Sequence, residues 1–257
     1  MTRPVVGVAG LGAMGGPIAS RLAGHGFEVL GLDPHVTLAG VRRVDRLHAA
    51  DVVLVVVPAD DDVTAVVTGL LDPPRPGQVI AICSSVRPST CASLAARAAG
   101  HGVDVLDVAL TGGIRGAEGG TLNLLVGGDP AVAARLDDIF EVIASGYHVL
   151  GPVGAGQVAK AASNLIHWAE IVAIVESFRL AEAYGVKPAA LRAALRQGGT
   201  DSRTLRELEL MKFTWWAKDI DVAAAMATEV GEPLPVAELS RRLMPTVTVD
   251  AVRDLLG

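Results

Sequence analysis

Short, continuously apolar runs alternate with longer helical stretches through the amino-terminal part of the chain. Residues 5–9, 28–32, 52–57, 79–83 and 105–108 read as strands, apolar on successive positions as strands buried on both faces are. Helices fill the gaps, from Pro17 to residue 24, more briefly over 63–70, and from Pro88 to residue 99. Residues 121–126 add a strand, Gly127-Gly128-Asp129-Pro130 stops it, and 131–144 read as the next helix. Such alternation predicts an α/β fold with a doubly wound parallel sheet. After Gly151-Pro152 the pattern changes to helix alone. Residues 157–184 run almost without glycine or proline, about 40 Å at the usual helical rise, and shorter helices follow at 188–196, 202–212, around 219–230, and 236–243. The chain therefore divides into a sheet domain over 1–153 and an all-α domain over 154–257.

Composition narrows the partners. A chain of 257 residues with 51% hydrophobic content has room for two modest cores. Only 19% is charged and the net charge is −6, which leaves no basic field for nucleic acid or an anionic membrane. An anionic ligand must then be captured locally. Cys83 and Cys91 have neither metal-ligand nor disulfide spacing and read as small buried apolar residues in a reducing compartment. Met1-Thr2-Arg3-Pro4 leads straight into the first strand with no leader, and the uninterrupted apolar runs are too short to span a bilayer. The expectation is a cytoplasmic protein with no metal, nucleic-acid or membrane partner.

The first candidate site is Gly10-Leu11-Gly12-Ala13-Met14-Gly15, placed after a strand and opening a helix. Gly10 allows the tight turn, Gly12 lets the backbone approach a pyrophosphate, Gly15 lets helix and strand pack, and Ala13 and Met14 complete the loop. The helix start behind it offers N–H groups to the anion. This identifies a Rossmann-type dinucleotide-binding domain. Asp33, at the end of the second strand, suits an adenine ribose and repels a 2′-phosphate, so NAD is favoured and NADP is the alternative. It also suits a simple turn before Pro34. Arg42 and Arg43 read as a solvated loop pair. Pro58 and Ser85 end strands at the carboxyl edge of the sheet, where ligands of such folds lie, and join the cofactor-binding candidates, although Ser85 serves equally as a helix cap.

Two further segments carry chemistry. Thr111-Gly112-Gly113 follows a strand and offers a hydroxyl and open backbone N–H groups, a compact trap for a carboxylate. Lys160 and Asn164 are four apart at the start of the long helix and so share a face. An ammonium beside a carboxamide suits proton transfer to a small oxygenated substrate, with Lys160 as general acid/base and Asn164 holding the pose. Asp60-Asp61-Asp62 reads as an acidic helix start rather than a metal cluster, and His25, His101 and His148 as solvated loop residues. His167-Trp168 reads as packing, and Trp215-Trp216 as either a core plug or a rim contact.

Together these segments resemble the β-hydroxyacid dehydrogenase family, the group of 3-hydroxyisobutyrate dehydrogenase, tartronate semialdehyde reductase and the succinic and glyoxylic semialdehyde reductases, related to 6-phosphogluconate dehydrogenase. The resemblance rests on Gly10 to Gly15, on Asp107-Val-Ala-Leu-Thr111-Gly112-Gly113 through Thr121, on Gly154-Ala-Gly156-Gln157-Val-Ala-Lys160 with Asn164, and on Lys218-Asp219. It implies hydride transfer between a nicotinamide cofactor and a small β-hydroxyacid or its semialdehyde, with Lys218 on the cofactor side of the cleft. Thr111 stands where such families usually carry serine, which keeps the hydroxyl and adds a methyl. The chain is some tens of residues shorter than usual members, with the shortfall between Asp33 and Val52, between Ser202 and Lys218, and after Pro235. Those losses motivate a second expectation, a catalytically degenerate dinucleotide binder acting as sensor or scaffold. An imine reductase-like enzyme is a third, which Lys160 argues against. The apolar second half of the long helix, including Ile166, Ile171, Val172, Ile174, Val175 and Phe178, predicts a homodimer.

Overall fold

The computed structural model describes residues 3–257; Met1 and Thr2, the start of the segment read as lacking a leader, lie outside the described residues. The chain forms two compact units that divide between Lys160 and Ala161, inside one long helix.

The first unit is built on an eight-stranded sheet in the order β3-β2-β1-β4-β5-β6-β7-β8. The strands are β1 (Val6–Ala9), β2 (Val29–Leu32), β3 (Arg42–Arg43), β4 (Val52–Val55), β5 (Val79–Ile82), β6 (Asp104–Thr111), β7 (Leu122–Gly127) and β8 (Ala144–Gly151). Helices α1 (Gly15–Gly24), α2 (Asp60–Leu70), α3 (Pro88–Ala99), α4 (Gly113–Gly119), α5 (Pro130–Ala134) and α6 (Asp137–Ile143) lie between them. Each of β1, β4 and β5 is buried along its whole length, and the sheet separates two cores. Val6, Val8, Ile18, Leu22, Leu122 and Phe140 belong to one, Val53, Val63, Ile80, Leu94 and Val103 to the other. The strand order reverses between β1 and β4, so the loops after these two strands flank the crevice in which ligands of doubly wound sheets sit.

Several expectations are corrected. The sheet is parallel except at β6 and β7, which pair antiparallel with Thr111 opposite Asn123. Their connection is too short for a parallel crossover, which needs a dozen or more residues. Arg42 and Arg43 are not loop residues; they form the exposed edge strand β3 beside Leu30 and Gly31. The segment predicted as one helix over 131–144 is two, and Ala144 opens the edge strand β8, whose Ser145 and Gly146 hide it from an apolar-run reading. The glycine-rich 113–119 is helical. Between β2 and β4 no helix is present among the described residues, in agreement with the shortened crossover.

The second unit is helical: α7 (Ala155–Ala183) enters it, followed by α8 (Pro188–Leu195), α9 (Arg203–Glu207), α10 (Trp216–Val230), α11 (Pro235–Leu243) and an unpredicted α12 (Val249–Leu256), with single 3₁₀ turns after α9 and α11. Trp168, Ile171, Val175 and Phe178 of α7 pack against Leu205, Leu208, Ile220, Met244 and Val252 to form its core. By length and composition alone α7 is long and apolar enough to cross a bilayer, although its apolar stretch is interrupted by polar residues. Its buried Trp168–Phe178 face marks it as the central helix of this unit.

Candidate active site

The glycine loop separates what the fold requires from what a ligand requires. Gly10 has φ +90°, and a Cβ there would sit 2.3 Å from the Val56 carbonyl oxygen; a Cβ on Gly15 would sit 1.9 Å from the Gly10 oxygen. These two glycines are imposed by packing of β1, α1 and the strand end of β4. Gly12 is different, for a Cβ there meets nothing within 4 Å. Nothing inside the protein asks for the missing side chain, whereas close approach of a pyrophosphate does. Helix α1 behind the loop has no side-chain cap and no acidic residue in its first turn. Gly16 N already donates to the Gly12 carbonyl at 2.9 Å and Pro17 has no N–H, so it is the turn over Gly12 to Gly15, at the positive dipole end, that suits an anion. Ala13 is exposed and Met14 half-buried on the same turn.

Asp33 ends β2 and bends back to this loop. Its Oδ2 accepts from Leu11 N at 2.8 Å, and its Oδ1 accepts from His35 N at 2.8 Å and Val36 N at 2.9 Å. Desolvation, the largest single influence, pushes the carboxyl up, but the three N–H groups together outweigh it and hold it below the usual aspartate range. An ionised carboxylate with three of about four acceptor positions used retains capacity for one hydroxyl donor. The turn reading of Asp33 is borne out by its bonds to His35 N and Val36 N. Arg42 pairs with Glu28 at 2.8 Å and Arg43 donates to the Pro34 carbonyl at 3.3 Å.

At the end of β6, Gly112 and Gly113 both take positive φ, +112° and +64°, and turn the chain into α4. The Thr111 hydroxyl donates to the Asn123 carbonyl at 2.9 Å, across the antiparallel pair. Its proton is spent on β7, so towards a ligand the oxygen acts as an acceptor. Pro58 is exposed just past β4 and Ser85 half-buried past β5. Ser85 does not cap α3: Arg87 holds the N-cap position, with no side-chain cap bond.

Lys160 and Asn164, both half-buried, lie one turn apart on α7. The start of that helix is filled from within: the Asp107 carboxylate accepts from Gly154 N at 2.6 Å and from Gln157 N at 2.8 Å. Asp107 is 0% exposed. Burial pushes its carboxyl up, against the pull of those N–H groups. Sequence reasoning passed over Asp107, Gln157 and Ser84; the motif contained the first two, but no local pattern announces that residues so far apart meet.

In the second unit Lys218 is exposed in the first turn of α10, and Asp219 beside it accepts from Trp168 Nε1 at 3.0 Å. His167 Nδ1 lies 3.0 Å from Thr204 Oγ1. Trp216 packs on the core while Trp215 is exposed. Cys83 and Cys91 are free and buried, burial pushing the Cys83 thiol up to about 12. His25 and His101 are exposed in turns, whereas His148, expected in a loop, lies exposed within β8 opposite Leu125. Asp62 caps α2 through Ala59 N at 3.2 Å.

A reversed-order parallel sheet, an uncapped helix behind a glycine loop and a helical unit entered by one long helix define a dinucleotide-binding oxidoreductase. Residues 5–151 match the model of the NAD binding domain of 6-phosphogluconate dehydrogenase, and residues 154–254 that described as NAD-binding of NADP-dependent 3-hydroxyisobutyrate dehydrogenase. The chain belongs to the NAD(P)-dependent β-hydroxyacid dehydrogenase family. It is 33% identical to 2-hydroxy-3-oxopropionate reductase of Escherichia coli, covering 97% of this chain and 93% of that one. It is 28% identical to 2-(hydroxymethyl)glutarate dehydrogenase of Eubacterium barkeri, over 93% and 87%. Among solved structures, Mycobacterium tuberculosis 3-hydroxyisobutyrate dehydrogenase with L-serine superposes with a TM-score of 0.87 at 25% identity, covering 95% and 94%.

Proposed function

We propose that the protein interconverts a small β-hydroxyacid and its semialdehyde, with Lys160 as the proton-transfer group. The observation that carries this is the pairing on α7 of a half-buried Lys160 with Asn164 one turn on, in a chain whose glycine loop keeps an unfilled helix start for a dinucleotide. When bound, the nicotinamide supplies the hydride acceptor or donor. Lys160 takes the hydroxyl proton as the alcohol is oxidised, or returns it to the nascent alkoxide, and its cationic form stabilises that oxygen. Asn164 hydrogen-bonds the substrate, and backbone N–H groups of the Thr111-Gly112-Gly113 turn receive the carboxylate, the Thr111 hydroxyl being committed to Asn123. A binder acting only as sensor or scaffold has no use for both Lys160 and Asn164.

NAD is the preferred cofactor in this reading, because the ionised Asp33 at the end of β2 repels a 2′-phosphate. Gly10, Gly12, Ala13, Met14 and Gly15 hold the pyrophosphate, Pro58 and Ser85 border the nicotinamide side, and Lys218 is assigned to the cofactor by its match to the family's Lys-Asp pair. The working form is a homodimer in the cytoplasm. Only 28% of the most apolar stretch of α7 is buried, and Ile166 and Leu180 are 70% and 62% exposed. A second copy covering that helix would remove them from water; light scattering at micromolar concentration is expected to give twice the chain mass, and a strict monomer refutes the dimer.

The decisive assay follows nicotinamide absorbance with 3-hydroxyisobutyrate, glycerate, 4-hydroxybutyrate, L-serine and the corresponding aldehydes, using both cofactors. Lys160→Ala is expected to lower kcat by about 10²- to 10⁴-fold while dinucleotide affinity holds. A comparable rate in the variant overturns the role of Lys160, and far tighter binding of NADPH than NADH overturns that of Asp33.

A further inference from the structure

Behind the site runs a series of buried polar groups that hydride transfer does not by itself call for. Asp107 of β6 accepts from two N–H groups of the first turn of α7, Gly154 and Gln157. The Gln157 side chain, 3% exposed, accepts from Val86 N at 3.2 Å and donates to the Ser84 carbonyl at 3.0 Å. The Ser84 hydroxyl in turn accepts from Val57 N at 2.8 Å and donates to the Val55 carbonyl at 3.2 Å. One polar chain therefore joins the start of α7 to β6, to the end of β5 and to the end of β4, wholly within the first unit.

Its links bracket the site candidates. Ser85 lies between Ser84 and Val86, Pro58 follows Val57, and Lys160 is one turn after Gln157 on α7. Room has been made for it: a Cβ on Gly156 would sit 2.7 Å from Asp107 Oδ2, and one on Gly127 2.1 Å from Asp107 Oδ1. Capping alone would need only a serine or aspartate at the helix's own N-cap, worth about 1 kcal/mol. Here the cap comes from another strand, and a second buried amide repeats the tie. What such a double tie achieves is a fixed height and rotation of the helix on the strand ends.

We infer that Asp107 and Gln157 are positioning residues, which lock the first turn of α7 to the ends of β4, β5 and β6 and thereby hold the Lys160 ammonium in register with Pro58 and Ser85. The inference rests on the reading of Lys160 as the proton-transfer group. A helix displaced by about 1 Å costs on the order of 100-fold in rate.

The test compares Gln157→Met, Gln157→Glu, Asp107→Asn and Lys160→Ala with the unaltered protein in four measurements: kcat, KM, cofactor Kd by fluorescence titration, and the titration of ¹³C-dimethylated lysines by NMR. The chain has four lysines, Lys160, Lys187, Lys212 and Lys218, so each resonance is assigned by substitution. Gln157→Met, similar in shape but unable to make either hydrogen bond, is expected to lose about 10- to 100-fold in kcat, with KM and cofactor Kd within about threefold. Gln157→Glu keeps the acceptor for Val86 N but, ionised, turns an oxygen on the Ser84 carbonyl, so it recovers part of the loss only at pH values where it is protonated. The Lys160 titration moves by about half a pH unit or more in Gln157→Met while the other three lysines hold. A lowered melting point with unchanged kcat and an unmoved Lys160 titration overturns the proposal, as does an equal loss of cofactor affinity and kcat. Should Gln157→Met not fold, Asp107→Asn and Ser84→Ala carry the same expectations at smaller size. If Lys160→Ala retains its rate, the catalytic reading falls; the Lys160 titration still decides whether the ties position that lysine.

Discussion

Two helix starts face the carboxyl edge of the same sheet, and they are treated in opposite ways. That of α1 has no side-chain cap, no acid in its first turn, and a glycine at position 12 whose absent side chain nothing in the protein requires. That of α7 is occupied by the Asp107 carboxylate, buried completely and bonded to Gly154 and Gln157. Every helix start has N–H groups without partners inside the helix and a positive dipole end. The difference teaches where binding ends and support begins. A start left open suits the anion of a ligand, and one filled internally is fixed to the strands beneath it.

Filling the open start is the most severe way to break the comparison. Gly12→Asp puts a carboxylate where the pyrophosphate belongs and is expected to weaken dinucleotide binding by at least about 100-fold, roughly 2.7 kcal/mol. The melting point should stay within about 2 °C, because the added Cβ meets nothing. Calorimetric titration and thermal melting check both halves, and retained affinity would remove α1 from the site. Emptying the filled start comes next. Asp107→Ala leaves two buried N–H groups without acceptors and is expected to cost about 2–5 kcal/mol, a fall on the order of 10 °C in the melting of the first unit. A neutral result would show that the mount is not needed for stability.

The smallest effect tests Asp33, which stands between the two cases by supporting the open loop through Leu11 N. Its folded carboxyl lies below the ordinary aspartate value of about 3.9. A depressed value stabilises the fold fully above the ordinary value, and that stabilisation is lost as pH falls through the lower, folded one. Asp33→Asn should therefore melt a few degrees lower at neutral pH, with the gap closing as the solution is acidified below the ordinary aspartate range. A gap that does not change with pH would mean that the ionised form contributes nothing.

Much of this was legible from the chain because it is local. The strands of the parallel sheet and the long helix announce themselves by apolar runs and period, and the Gly10–Gly15 loop by its place between strand and helix. β8 was not legible, since an edge strand carrying Ser145 and Gly146 lacks the apolar run that marks a buried one. Nor was α4, because its glycines argue for a turn until β7 and β6 pair antiparallel around it. The sequence places a hydroxyl at Thr111, and only the pairing with Asn123 shows where its proton goes.

The sequence by itself determined that Lys160 and Asn164 share a face, because positions four apart in a helix do so whatever surrounds them. It determined too that a glycine loop precedes a helix and that the chain has two kinds of architecture. Which carboxylate meets which helix start was decided only by tertiary structure. Asp33 reaches Leu11 across 22 residues and Asp107 reaches Gly154 across 47. Periodicity carries no information over such separations; strand order and the close approach allowed at Gly156 bring these groups together, and with them the distinction between a helix that binds and a helix that holds.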